Sequence, residues 1–167
     1  LMRYAMRIKI MIILLVMIIT ALNYSIYEKE LIKDHGQTIL LELAPVDPRS
    51  LVQGDYMRLS YTIERNALAK QLADHHQRGY IVISPDNHNV AHFIRFHEKE
   101  YLAANEKLLH FYKKYNRIKI TPNSFLFQEG HAKYYENAKY GVFKFDNSGN
   151  YLLIGLADKN RKTIIAP

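Results

Sequence analysis

The chain has 167 residues and a mass near 19.6 kDa, the size of one domain rather than two. A 49% hydrophobic content with 13 Tyr and 7 Phe excludes a disordered chain, and seven Gly with five Pro exclude a collagenous or low-complexity one. The chain has no Cys, which rules out disulfides, thiolate metal sites and a Cys nucleophile. The formal charge is +7, but Arg3, Arg7 and Lys9 all precede Glu28, the first acidic residue. Without those three, 20 basic residues face 16 acidic ones. That is an ordinary surface and not a nucleic-acid footprint, so no nucleic-acid partner is expected.

Residues Ile10 to Leu22 are apolar apart from Thr20, and the stretch extends from Met6 to Tyr27 with cations at one edge and Tyr24 and Tyr27 at the other. A transmembrane helix needs roughly 20 mainly apolar residues, with snorkelling cations and interfacial tyrosines at its ends. The competing readings are a cleaved signal peptide and a buried core helix. Thr20-Ala21-Leu22-Asn23-Tyr24-Ser25 offers no small-residue cleavage site, and the basic flank argues against a core helix. The positive-inside rule puts the N-terminus in the cytoplasm and everything from about Glu28 onward outside it.

Residues 28–36 are charged, end at Gly36, and read as a short connector or the last helical turns. The hydrophobic period then changes to two. Ile39, Leu41 and Leu43 define the apolar face of a first strand, which Pro45 and Pro48 terminate. Gly54-Asp55 is a turn signal. From Tyr56 to Ile63 the alternation predicts a strand with Met57, Leu59, Tyr61 and Ile63 in the core. Asn66 to Gly79 predicts a short helix. Residues 80–84 and 90–96 flank Pro85-Asp86-Asn87-His88-Asn89 as a hairpin, and 108–112 with 117–121 form a second. Phe125 and Phe127 begin a short apolar alternation. Glu129 to Ala138 predicts a second short helix with an acidic start. Residues 140–145 and 151–156 flank Asp146-Asn147-Ser148-Gly149 as a third hairpin.

The fold class is therefore α+β, mainly antiparallel β. One N-terminal transmembrane helix is followed by a compact β-rich domain, a sandwich or a partly open barrel, with two short helices. The expected organisation is a cytoplasmic flank and anchor at 1–27, a connector at 28–36, an extracytoplasmic domain at 37–158 and a tail at 159–167.

Gly54-Asp55-Tyr56-Met57-Arg58-Leu59-Ser60-Tyr61 resembles the pattern that gives the GDYXXLXY family its name. The lead-in Pro45-Val46-Asp47-Pro48-Arg49-Ser50-Leu51 is similar to that family's. So are Phe125-Leu126-Phe127-Gln128-Glu129-Gly130-His131-Ala132 and the closing Leu153-Ile154-Gly155-Leu156. The resemblance spans residues from about 37 to 158 and includes the N-terminal span. It implies a bacterial protein of the Gram-negative inner membrane, often encoded beside multi-span membrane proteins. It carries over no reaction, cofactor or catalytic residue.

The candidate recognition or structural motif comprises Asp47, Arg49, Gly54, Asp55, Tyr56, Tyr61, Gln128, Glu129 and Gly130. Read structurally, it is a rigid connector: glycine tolerates positive φ, Asp side chains cap turns, and Arg49 can bridge to Asp47 or Asp55. Read functionally, Asp47, Arg49, Asp55 and Tyr56 form a polar surface for a partner. Glu129 suits a helix N-terminus, and its pairing with His131 for acid–base work would need a nucleophile or bound water. His75, His76, His88, His92 and His97 cluster in sequence without metal-ligand spacing. No P-loop, dinucleotide fingerprint or G-x-S-x-G elbow is present. Catalytic, cofactor and metal residues are accordingly not expected. The function indicated is a non-enzymatic, single-span accessory protein whose periplasmic domain binds or modulates a multi-span membrane partner. The alternative is an envelope enzyme or ligand-binding module with a pocket near the 47–56 loop and the 128–131 segment.

Overall fold

A helix without Gly or Pro, α1 (Met2–His35), begins the structure and is about 51 Å long at 1.5 Å per residue. In this computed structural model, residues 2–45, 52–53, 56–65, 77–115 and 117–167 are described. α1 contains one stretch long and apolar enough to cross a membrane, and that apolar window is wholly exposed. Residues 28–35 are the last turns of the same helix, so the charged stretch is a rigid stem. Lys33 and His35 suit its C-terminal dipole.

Ten strands follow among the described residues. They are β1 (Gln37–Glu42), β2 (Val52–Gln53), β3 (Tyr56–Arg58), β4 (Arg78–Pro85), β5 (Ala91–Phe96), β6 (Lys107–Lys114), β7 (Arg117–Ile120), β8 (Ser124–Leu126), β9 (Tyr140–Phe145) and β10 (Tyr151–Ala157). Among the described residues two one-turn helices interrupt them, α2 (Thr62–Arg65) and α3 (Ala132–Tyr135). The strands form antiparallel sheets of order β1-β9-β10, β2-β3-β8 and β5-β4-β6-β7. Single bridges join their edges, Leu40 to Val90 and Leu43 to Tyr61. One core therefore takes side chains from all three sheets, including Ile39, Phe143, Ile83, Phe111, Met57 and Tyr61. The bridged edges favour the partly open barrel over two detached layers.

The three expected hairpins form as β4–β5, β6–β7 and β9–β10. Their aspartates set two of the turns. Asp86 accepts from the backbone N–H groups of His88 and Val90, and Asp146 accepts from those of Ser148 and Asn150. Each turn closes with a left-handed residue, Asn89 at φ 60° and Gly149 at φ 90°. Asp158 repeats the device, and the chain after it returns to β10 through the Ile164 N–H bond to Leu156.

Two expectations change. The strand expected over Tyr56 to Ile63 ends at Arg58, although Met57, Leu59, Tyr61 and Ile63 are all buried as the alternation predicted. Beyond Arg58 the chain pairs only singly, through Leu59 N–H to Asn123 and Ala44 N–H to Ser60, then turns into α2. The helix expected over Glu129 to Ala138 shrinks to α3. Gly130 has φ +83° and the His131 N–H bonds the Gln128 carbonyl, so Gln128–His131 is a turn with glycine at its left-handed position. The helix expected over Asn66 to Gly79 falls largely outside the described residues.

Candidate functional site

The stem of α1 meets the domain at Gly36. The Gly36 N–H bonds the Ile32 carbonyl at 2.9 Å, and the Lys144 ammonium donates to the Gly36 carbonyl at 3.1 Å. A Cβ at Gly36 would lie 2.4 Å from the Ile32 oxygen and 3.0 Å from the Phe145 oxygen, both backbone atoms. Only glycine lets the helix end and β9 approach this closely. Ile32 is buried in the joint.

This docking creates a cleft of about 830 Å³. One wall is the C-terminal third of α1, with Ser25, Glu28, Lys29, Ile32 and His35. The other is the β9–β10 turn from Asp146 to Asn150, with Tyr80, His110 and Tyr151. Tyr151 is fixed: its hydroxyl donates to the Thr121 carbonyl at 2.8 Å and accepts from the His110 N–H at 3.1 Å. Burial raises its phenol above the usual range. The His110 ring stands edge-on to Tyr80 at 5.4 Å. No motif signals this cleft in the sequence. The only trace is a Gly- and Pro-free run that reaches Gly36 without a linker.

The name-giving segment is partly internal. Leu59 and Tyr61 are buried, and Tyr61 packs on Phe143 with ring centroids 5.8 Å apart. Tyr56 is half-buried on β3, opposite Leu126 of β8. Asp47, Arg49, Gly54 and Asp55 lie outside the described residues. Gln128, Glu129 and Gly130 form the exposed turn before α3. A pocket of about 250 Å³ lies beside Leu59 and Ser60, but Ala44, Arg58 and Glu136–Lys139 line it rather than residues 128–131.

One buried charge stands out. Glu64 of α2 accepts from Lys119 Nζ at 2.7 Å, from the Ile120 N–H at 2.9 Å and from Ser60 Oγ at 2.9 Å. All its near partners are donors, so it fastens α2 to β7. Arg95 makes a second network, bidentate to Glu106 at 2.6 and 2.9 Å and single to Glu100 at 2.9 Å. His92 pairs with Asp86 at 3.1 Å across the β4–β5 turn. Among the described residues no three His, Asp or Glu side chains converge as metal ligands.

No curated protein and no solved structure matches the chain. The family described as GDYXXLXY protein matches residues 18–156, which include the C-terminal part of the apolar helix and nearly all of the domain. With the GDYMRLSY segment and the later blocks in their expected order, this chain belongs to the GDYXXLXY family.

Proposed function

We propose that this protein is a single-span accessory subunit of the bacterial inner membrane. Its N-terminus is cytoplasmic, its domain is periplasmic, and it binds or modulates a multi-span membrane partner. Arg3, Arg7 and Lys9 before the span support that orientation.

The observation that carries the reading is a polar stripe within the apolar helix. Thr20, Asn23 and Tyr27 share one face at helical spacing, and the cleft-lining residues Ser25, Glu28 and Ile32 share the roughly opposite one. The stripe therefore points away from the domain. Thr20 and Asn23 each return one donor to their own helix, to the Val16 and Ile19 carbonyls at 2.8 Å. Asn23 keeps an N–H and a carbonyl oxygen for a neighbour, and in lipid such groups are satisfied by another helix. Residues 6–31 of α1 are all exposed, so a polytopic partner can approach along the span.

The test is site-directed photo-crosslinking in intact membranes. Probes at positions 20 and 23 should give adducts with a multi-span protein, and probes at 21 and 25 should not. Equal labelling at all four positions, or release of the protein by carbonate washing, would overturn the reading. The alternative of an enzyme or ligand-binding module near the 47–56 loop and the 128–131 segment is favoured by one observation. The β3–β8 pairing sets Tyr56 beside Leu126, two residues before Gln128.

A further inference from the structure

We infer that the cleft between the α1 stem and the β9–β10 turn is a seat for a phosphoethanolamine group presented by a membrane lipid. The inference rests on the membrane-anchored reading above and adds a ligand to it.

Depth is the first argument. The apolar stretch ends near Tyr27, and the eight residues from Glu28 to His35 rise about 12 Å. A headgroup layer is about 5–8 Å thick on each side of the hydrocarbon. Glu28, Lys29 and Ile32 thus lie in that layer, and they line the cleft together with Asp146–Asn150. The joint at Gly36 is closely packed and its carbonyl is bonded by Lys144, which sets the turn beside the stem.

Charge is the second argument. Glu28 and Lys29 both line the cleft, and neither is paired with another side chain among the described residues. Asp146 is already consumed by its turn, accepting from the Ser148 N–H, the Asn150 N–H and Asn150 Nδ2 at 2.8 to 2.9 Å. The cleft thus offers one available carboxylate and one available ammonium, with the His35 and His110 imidazoles beside them. A zwitterion matches this set: its phosphate pairs with Lys29, and its primary ammonium donates to Glu28. A purely anionic headgroup would meet Glu28 unpaired. A choline headgroup has no N–H to donate. The volume, about 830 Å³, is within the range of small-ligand clefts.

The test uses the full chain in nanodiscs of phosphatidylethanolamine with phosphatidylglycerol, or of phosphatidylcholine with phosphatidylglycerol at the same surface charge. Native mass spectrometry should find one phosphatidylethanolamine retained per protein and no phosphatidylcholine. Glu28→Gln and Lys29→Gln should each lower retention roughly tenfold, the loss of one charge-assisted hydrogen bond. Both side chains are exposed, so thermal unfolding should not move. Equal retention of both lipids, or retention indifferent to both substitutions, would overturn the assignment. Soluble glycerophosphoethanolamine is the competing source. Its failure to displace the lipid at millimolar concentration supports the membrane lipid, and full displacement overturns that source. Carbonate release of the chain would sink the membrane reading itself, whereas an inserted chain that retains no lipid sinks only this one.

Discussion

The hydroxyl of Tyr61 donates to the carbonyl oxygen of Pro122 at 2.7 Å, across 61 positions of sequence. Tyr61 is the last residue of the GDYMRLSY segment, and its side chain is fully buried. Burial holds its phenol far above the usual range, with the Glu64 carboxylate adding to the shift, so the hydroxyl remains a donor. The segment thereby ties β3 to the turn before β8.

Tyr61→Phe should destabilise the domain by about 1–2 kcal/mol, because the Pro122 carbonyl loses its donor. Tyr61→Ala should cost about 3–5 kcal/mol by opening a cavity against Phe143. Denaturant unfolding in detergent checks both.

Glu64→Ala strands the Ile120 N–H and removes the ion pair with Lys119, and should cost roughly 2–4 kcal/mol. Glu64→Gln keeps an acceptor for Ile120 and should cost clearly less. The order of the two melting temperatures is the readout.

Gly36→Ala drives a methyl group into two backbone carbonyls and should cost about 1–3 kcal/mol. It should also loosen the stem from β9. Spin-label distances between the stem and the β9–β10 turn should broaden, while those within β4–β6 should not change.

Acid should weaken the β5–β6 loop before the core. Hydrogen bonds from Arg95, then from the Ala103 N–H, lower the Glu106 carboxyl from 4.5 to about 2. A folded-state value below the unfolded one contributes stability that is complete above about pH 4.5 and is lost as pH falls toward about 2. Wild type should lose stability across that window, and Glu106→Gln should show a flatter profile there. Melting scans at stepped pH measure it.

Local chemistry was legible in the residues. The apolar run before Glu28, the three hairpins, and the inward set Met57, Leu59, Tyr61 and Ile63 follow from periodicity. The Asp-led turns follow from side chains that bond backbone only a few positions away. What the tertiary structure decided depends on partners distant in sequence. Glu64 turns α2 inward because Lys119 and Ile120 lie 55 and 56 positions away. The helix expected at Glu129 yields because Gly130 takes a left-handed turn into α3, whose Tyr135 stacks on Phe127. In the sequence Gly36 only ends a charged stretch that reads as a connector or as last helical turns, yet its carbonyl is held by Lys144, 108 positions on. That contact aligns the stem with the β9–β10 turn and makes the cleft. Periodicity reports which side of a segment is buried; it carries no information on which remote segment does the burying, and the cleft exists only through that choice.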